Sequence, residues 1–341
     1  MADQSPKDVA GGGKTPGSGD RPHCYALISS RCGTAHDRAG SDRQDRGLIA
    51  DVAGDLVVLI ADGAGSAEDG AGGAELAVRT ALNAIVDARA KGWRVPVDDG
   101  TIRDRPEFWT AGRPSGPETP LLASAFTDWA TLLSSAMVAA REVVLHHAWL
   151  IGDEKTNWAT TLIAVVIAGD LVHAAQIGNG YVVIWDDDED LSRIIAHRFD
   201  SDPDPHPATA ITSSNALGEL TLESATFGPT AHLLVSSDGI APVLLEGWSP
   251  PVPSSRFLRR LTREMNTGRL DAAQLDRFLD SELICSQTDD DKTLALVRRL
   301  PLGQSHVPPP HREADPANPG DPANPANPAE PRSQQQHPHS P

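Results

Sequence analysis

The chain has 341 residues, a formal net charge of −18 and three cysteines. Its 47 acidic against 29 basic side chains argue against nucleic acid as a partner, because phosphate backbones are bound by clustered Lys and Arg. No apolar run reaches the roughly 18 residues of a membrane span, and no apolar segment follows a basic N-terminal region as in a secretory signal. We therefore expect a cytoplasmic protein that contacts no membrane. Cys24, Cys32 and Cys285 lack the spacing of a disulfide framework or zinc site.

The two ends of the chain have the composition of disordered segments. Residues 1–22 are polar and Gly-rich, and residues 301–341 repeat Asp/Asn-Pro-Ala units with almost no large apolar side chains. Such segments bury too little apolar surface to offset their ordering entropy, so disorder is predicted for both. Residues 23–300 remain for one large domain or two small ones, with an irregular Pro-, Gly- and charge-rich insertion at 93–119.

Alternating or β-branched apolar residues predict the strands, and a longer apolar period predicts the helices. The predicted strands are 25–30, 46–51, 55–61, 159–168, 171–177, 180–186, 231–237 and 293–299. The predicted helical segments are 73–90, 121–149, 255–266 and 271–284. Ala53-Gly54 should close a hairpin, and the three closely spaced strands between 159 and 186 should form an antiparallel meander. Blocks of strands and helices without regular β-α-β alternation indicate an α+β fold.

Two Gly-rich stretches fail as nucleotide-binding loops. The Walker pattern ending at Thr15 requires Gly at position 8, where the chain has Asp8, and no strand precedes it. The stretch DGAGSAEDGAGG after the third strand contains no G-x-G-x-x-G that opens a helix. It also places Asp62 where a phosphate would lie, and a carboxylate attracts a phosphate only through an intervening cation.

Acidic residues recur where predicted strands begin or end. Two apolar strands end in Asp-Gly, at Asp62 and Asp238, while Asp45 precedes the hairpin and Asp290 precedes the final strand. If these ends meet at one sheet edge, their oxygens suit Mg²⁺ or Mn²⁺, and two such ions roughly 3.5–4 Å apart can activate a water and clamp a phosphoryl group. A single Asp-Gly is also typical of a type I′ turn. The recurrence favours the metal site.

The same motifs, in the same order, resemble the metal-dependent type 2C protein phosphatases, especially their bacterial branch. The matching stretches are Q-D before the hairpin, VLIADGAG, a TTL strand followed by GD and GNG, LLVSSDG and DDKTLALV. The resemblance covers about residues 25–300. It implies a four-layer α-β-β-α sandwich of two antiparallel sheets flanked by helices, with a dimetal site in the cleft at one end. The implied reaction is hydrolysis of phosphoserine and phosphothreonine by a metal-activated water.

The resemblance also implies metal ligands. Asp62 would bridge two Mg²⁺ or Mn²⁺ ions, and the Gly63 carbonyl would bind one of them. Asp238 and Asp290 would hold the other ion. Asp45 would contribute as a metal-site acid that orients a metal-bound water. Asp62 and Asp45 are therefore the expected catalytic acids.

The substrate side of the implied site departs from the family pattern. The family's phosphate-binding Arg has no clear match, and His36 and Arg43 are the candidates for that role. His36 could also deliver a proton to the leaving serine oxygen. Gln44 stands where Glu is usual, and Asn179 stands where some members use Asp to support a third ion. Two ions are therefore expected and a third is not.

The leading hypothesis is a cytoplasmic, monomeric, Mg²⁺- or Mn²⁺-dependent protein serine/threonine phosphatase in signal transduction. Its partners would be a phosphorylated protein substrate and a cognate Ser/Thr kinase. The alternative is a catalytically weak phosphatase-like module that binds a phosphorylated partner or kinase. Gln44, Asn179 and the missing Arg motivate this alternative.

Overall fold

Two five-stranded antiparallel sheets face each other and carry helices on their outer sides. The computed structural model describes residues 24–91, 129–187, 192–196, 208–247 and 251–300. The predicted terminal tails and the 93–119 insertion lie outside the described residues, as do positions 121–128 of the second predicted helix. Among the described residues, no helix combines the length and apolar character needed to cross a membrane.

The strands are β1 (Cys24–Arg31), β2 (Arg46–Val52), β3 (Asp55–Ala61), β4 (Leu162–Ala168), β5 (Leu171–Ile177), β6 (Tyr181–Trp185), β7 (Arg193–Ala196), β8 (Thr221–Thr226), β9 (His232–Ser236), β10 (Leu245–Glu246), β11 (Val252–Pro253) and β12 (Lys292–Arg299). One sheet has the order β1-β12-β9-β6-β7 and the other β2-β3-β4-β5-β8, while β10 and β11 form a separate two-stranded pair. Every neighbouring pair is antiparallel.

The helices are α1 (Thr34–Ala39), α2 (Gly70–Ala90), α3 (Trp129–Ile151), α4 (Ala241–Leu244), α5 (Ser255–Asn266), α6 (Ala272–Leu279) and α7 (Glu282–Cys285). The long helix α2 begins where the Asp69 side chain accepts a hydrogen bond from the Gly72 N–H, which satisfies one of the free amides of the first turn. Similarly, α6 begins with a capping box between Asp271 and Gln274.

Three clusters of buried apolar side chains hold the layers together. The first packs α2 and α3 onto the β2-β3-β4-β5-β8 sheet, with Ile85 and Leu133 among its members. The second lies between the two sheets and includes Val58 and Val235. The third packs α5 and α6 onto the other sheet through residues such as Leu258. The order of layers is thus helix, sheet, sheet, helix, which confirms the predicted α-β-β-α sandwich.

The predicted meander is wrong at its third strand. Strands β4 and β5 pair as expected, but β6 leaves their sheet and pairs with β7 and β9. The chain turns out of the sheet at Gly178, whose φ of 120° is one that L side chains rarely adopt. The Gln176 side chain holds this crossover by donating to the carbonyl oxygens of Gly178 and Gly180.

Most other predicted elements are present with small shifts of their ends. Ala53 and Gly54 both have positive φ and close the β2–β3 hairpin as expected. The single predicted segment at 271–284 is two helices, α6 and α7, because the helix ends at Asp280 and restarts after Ser281. The sequence analysis does not predict the short elements, which are α1, α4, β7, β8, β10 and β11.

Candidate active site

Asp62 follows directly after β3 and is held in place by two threonines that directly precede β4. Its carbonyl oxygen accepts hydrogen bonds from the Thr161 N–H (2.8 Å) and the Thr160 hydroxyl (2.9 Å). Its own N–H donates to the Thr161 hydroxyl at 3.0 Å. These three bonds fix the backbone of Asp62 and leave its carboxylate free to take part in the site.

The predicted acids converge at one end of the two sheets. Asp62 and Asp45 come from the β2–β3 sheet, whereas Asp238 follows β9 and Asp290 precedes β12 in the facing sheet. The Asp62 carboxyl lies beside both Asp45 and Asp238, and the negative charge of Asp238 acts on Asp290. We call these four residues the acid cluster. The two strands that end in Asp-Gly therefore face each other across the cleft between the sheets.

The glycines after Asp62 and Asp238 are required by close packing and not by a turn. Neither Gly63 nor Gly239 has a positive φ, so the type I′ turn alternative is wrong. A Cβ on Gly63 would lie 2.5 Å from the Gly70 carbonyl carbon, at the start of α2. A Cβ on Gly239 would lie 1.9 Å from the Asp291 carbonyl oxygen. Each glycine lets another backbone segment approach next to an acid.

Burial and mutual repulsion disfavour ionisation of the clustered acids. Burial raises the pKa of Asp45 to about 7, although the Ser237 hydroxyl at 2.8 Å from Oδ2 partly opposes the shift. Burial and the negative charges of Asp45 and Asp238 raise the pKa of Asp62 well above its ordinary value. Asp290 lies at the exposed rim of the acid cluster, where partial burial and Asp238 raise its pKa. A positive charge placed among these carboxylates would reverse these shifts.

Asp291 organises the segments around the acid cluster and was not selected from the sequence. Its buried carboxylate accepts hydrogen bonds from the N–H groups of Gly33 (2.6 Å), Gln44 (2.5 Å) and Asp45 (3.4 Å). One side chain thus ties the start of β12 to the segments before α1 and β2. The signal available in the sequence was the run DDDKT, in which only Asp290 was assigned a role.

His36 lies next to this anchor, whereas Arg43 is engaged with the backbone. The Nδ1 atom of His36 lies 3.0 Å from the Asp42 carbonyl oxygen and 3.9 Å from Oδ2 of Asp291. Arg43 donates from Nε to the Asp45 carbonyl and from Nη1 to the Ser30 carbonyl. Of the two candidates for phosphate binding, His36 is therefore the one whose second ring nitrogen, Nε2, can contact a substrate.

Two amide side chains contact the proposed ligand set. The Gln44 amide lies 3.1 Å from the carbonyl oxygens of both Gly63 and Ala64, and it donates to both when its nitrogen faces them. In the opposite orientation the Gln44 amide oxygen would face these two carbonyl oxygens, so that three oxygen atoms would lie together. Asn179 donates from Nδ2 to Oδ2 of Asp238 at 2.5 Å. Asn179 therefore satisfies one oxygen of Asp238 by a hydrogen bond and adds no charge to the site.

The oxygen atoms of the acid cluster are of the kind that bind hard divalent cations, although the described residues do not form a ready-made metal site. Among the described residues, no group of three or more His, Cys, Asp and Glu side chains has the arrangement of a metal site. However, Oδ1 of Asp45, Oδ1 of Asp238 and Oδ1 of Asn179 are buried and make no hydrogen bond within the described ranges. Buried oxygens without a donor are costly, and carboxylate and amide oxygens are the preferred ligands of Mg²⁺ and Mn²⁺.

Comparison with known proteins places this chain in a family. The family model of protein phosphatase 2C matches residues 32–280. No curated protein matches the sequence. The fold is similar to the serine/threonine phosphatase of S. agalactiae, with 17% identity, a TM-score of 0.52 and coverage of 81% of this chain and 99% of that one.

Two other solved structures share the fold at similarly low identity. PppA, described as a regulatory component of the T6SS in Pseudomonas aeruginosa, is 18% identical with a TM-score of 0.52, covering 82% of this chain and 98% of its own. The serine/threonine phosphatase Stp1 from Staphylococcus aureus is 12% identical with a TM-score of 0.53, covering 81% and 95%. The family match spans most of the chain, and the solved structures have the same sandwich of two antiparallel sheets flanked by helices. This chain belongs to the protein phosphatase 2C family.

Proposed function

We propose that the protein is a Mg²⁺- or Mn²⁺-dependent phosphatase that hydrolyses phosphoserine and phosphothreonine in proteins. The observation that carries the proposal is the placement of the Asp62 carboxyl beside Asp45 and Asp238, at the end of the sandwich in a protein phosphatase 2C family member. Four carboxylates that repel one another in a partly buried cleft create a strong demand for divalent cations.

Asp62 and the Gly63 carbonyl would hold one ion, and Asp62, Asp238 and Asp290 would hold the second. When bound, such ions supply an activated water and offset the negative charge of the phosphoryl oxygens. The hydrogen bonds between Asp62 and the two threonines, Thr160 and Thr161, hold the Asp62 backbone in place. The protein thereby orients its main ligand before any ion or substrate arrives.

Asp45 would orient the attacking water. The Ser237 hydroxyl holds its carboxylate by donating to Oδ2, and the Thr293 N–H in turn holds Ser237 by donating to the hydroxyl oxygen. Oδ1 of Asp45 makes no hydrogen bond to the described residues and is the atom that can accept one from the water. Deleting this carboxylate should lower turnover more than substrate affinity, because it acts on the water.

His36 would act on the substrate side. With Nδ1 directed at the Asp42 carbonyl, Nε2 is the ring atom that can contact the phosphate or deliver a proton to the leaving oxygen. Arg43 is the weaker phosphate-binding candidate, because its Nε and Nη1 already donate to backbone carbonyls. Because Arg43 is engaged in this way, binding of the substrate phosphate should be weak, and turnover should be less affected.

The direct test is hydrolysis of a phosphopeptide and of p-nitrophenyl phosphate with Mn²⁺ or Mg²⁺, with and without EDTA. Asp62→Asn should abolish turnover. Asp87→Asn, the same chemical change on the exposed side of α2, should leave it unchanged. Absence of cation-dependent turnover in the unmodified protein would contradict the proposal.

A phosphatase-like binding module is the second candidate function. The bond from Asn179 to Asp238 favours it, because it occupies an oxygen that the proposal gives to a cation. Calorimetric titration with Mn²⁺ separates the two: the enzyme should bind two ions, whereas a degenerate module should bind at most one, weakly. Retention of all four acids favours the enzyme. In either case we place the protein in the cytoplasm as a monomer, with a phosphorylated protein and its Ser/Thr kinase as partners.

A further inference from the structure

The C-terminal turn of α3 exposes three large apolar side chains in succession. Trp149, Leu150 and Ile151 are 71%, 62% and 55% exposed, and the His146 ring stacks on Trp149 with the ring centroids 5.5 Å apart. Single exposed apolar residues are normal, but a contiguous group of large ones marks an interaction surface. We call Trp149, Leu150 and Ile151 the apolar patch. The proposed reaction uses none of them.

The segment after α3 places the apolar patch at the end of the sandwich that carries the acid cluster. The Asp153 carboxylate accepts a hydrogen bond from Asn157 Nδ2 at 2.8 Å. The Asn157 carbonyl oxygen in turn accepts from the Asp69 N–H at 2.8 Å, just before α2 begins. The same segment then runs to Thr161, whose N–H donates to the Asp62 carbonyl oxygen at 2.8 Å. A short chain of contacts thus connects the patch to the acid cluster.

Acidic side chains lie along this connection. Residues 64–69 and 152–158 contribute four carboxylates and one lysine. Asn157 joins a carboxylate from each segment, since its Nδ2 donates to Glu68 at 3.2 Å and to Asp153 at 2.8 Å. We call the four carboxylates the acidic strip, and they are Glu68, Asp69, Asp153 and Glu154. A positively charged partner segment is attracted to this strip, whereas a negatively charged one is repelled.

We propose that the apolar patch and the acidic strip dock the protein substrate of this phosphatase, an inference that rests on the proposed function. When the phosphorylated residue lies at the acid cluster, neighbouring basic side chains of the substrate lie on the acidic strip and a large apolar side chain lies on the patch. The substrate class is phosphoproteins with basic residues, followed by a large apolar residue, on one side of the phosphoserine or phosphothreonine. Trp149 is the main contact, because aromatic residues carry much of the binding energy at protein interfaces.

Two other occupants of an apolar surface fit these observations less well. An anionic membrane that received the patch would bring its negative headgroups against the acidic strip, and like charges repel. Two copies of this chain, paired through the patch about a two-fold axis, would bring two acidic strips together in a protein of net charge −18. The charge beside the patch therefore favours a basic segment of another protein.

Steady-state kinetics with synthetic phosphoserine peptides tests the docking. Two peptides carry two arginines and a leucine, before or after the phosphoserine, with the arginines nearer to it. Their reference peptides carry glutamate and serine at those places. At least one arginine–leucine peptide should have a KM about tenfold below that of its reference with a similar kcat, and Trp149→Ser should remove this advantage. Equal KM values for all four peptides would overturn the proposal.

Val86→Ser is the matched control for Trp149→Ser. Val86 is an exposed apolar residue of α2 that lies about 24 Å along the helix from Gly70, and therefore away from the acid cluster. It should leave the KM of every peptide unchanged. Glu154→Lys should raise the KM of the arginine–leucine peptide several-fold, because it reverses a charge of the acidic strip. Hydrolysis of p-nitrophenyl phosphate, which is too small to reach the patch, should be equal in all of these variants.

Peptide binding in EDTA separates docking from catalysis. Fluorescence anisotropy of the labelled, non-phosphorylated arginine–leucine peptide should give a Kd about tenfold below that of its reference, and Trp149→Ser should remove this difference. If the protein binds in this way but hydrolyses no phosphopeptide, the proposed function fails and the docking surface stands. If it hydrolyses phosphopeptides without any effect of Trp149→Ser on KM or Kd, the proposed function stands and the docking surface fails.

The other two occupants have readouts of their own. Sedimentation with phosphatidylserine vesicles measures membrane binding, and analytical ultracentrifugation measures dimerisation. Neither should depend on Trp149. Vesicle binding or dimerisation that Trp149→Ser abolishes, in a protein whose peptide binding is unaffected by the same change, would overturn the proposal.

Discussion

The carbonyl oxygen of Asp291 lies so close to Gly239 that a Cβ at position 239 would come within 1.9 Å of it. This approach brings the end of β9, with Asp238, against the start of β12, with Asp290. Only glycine fits at position 239 without separating these two segments, which carry Asp238 and Asp290.

Gly239→Ala should destabilise the protein by about 2–3 kcal/mol, because the new methyl group meets backbone that cannot move aside without shifting β12. Urea denaturation measures the change. Gly218→Ala is the matched control, since its Cβ would meet nothing within 4 Å and its φ is not positive. A cost at position 239 no larger than at position 218 would show that the two segments are not held together as described.

Asp291→Ala should cost about 3 kcal/mol or more, because it leaves the N–H groups of Gly33, Gln44 and Asp45 buried without an acceptor. Asp291→Asn keeps one acceptor oxygen and should cost about half as much. Chemical denaturation of both variants checks the order. Equal costs for Ala and Asn would mean that the hydrogen bonds to the backbone are not the source of the stability.

Asp62→Asn should stabilise the metal-free protein by about 1 kcal/mol at neutral pH, although it removes activity. Burial and the charges of Asp45 and Asp238 penalise the ionised carboxylate, and a neutral amide avoids this penalty. Thermal melts in EDTA and in Mn²⁺ test this: the unmodified protein should gain stability from Mn²⁺ and the variant should gain much less. Asp87→Asn should behave like the unmodified protein in both conditions.

His232 should make the protein less stable as the pH falls below about 6.5. Burial lowers its pKa in the folded state, and the Asp187 carboxylate at 2.9 Å opposes this only in part. Below the pKa of the unfolded chain, the unfolded state binds a proton at His232 more readily than the folded state does. The stability that neutral His232 contributes is therefore present above the unfolded pKa and is lost as the pH falls. His232→Gln should flatten the difference in stability between pH 7 and pH 5. The slope of the denaturation midpoint with pH measures this, and an unchanged slope would assign the dependence to other groups.

The sequence by itself determined the elements and the candidate acids. Continuous apolar runs placed β3 and β9, and the Asp-Gly that ends each of them identified Asp62 and Asp238 as residues at strand ends. Ala53-Gly54 defined the hairpin, because positive φ at both positions is a local property of the chain. These predictions depend only on neighbouring residues, which is why they could be made without the fold.

Tertiary structure decided which strands pair and which atoms meet. β6 has the same buried apolar pattern whether it continues beside β5 or crosses to β9, so the sequence could not tell the two sheets apart. The same limit applies to Asp291, whose partners are more than 200 residues away in the chain, and to Gly239, whose role is a backbone contact. Local periodicity specifies an element, but its partner is chosen by packing and hydrogen bonding between distant segments.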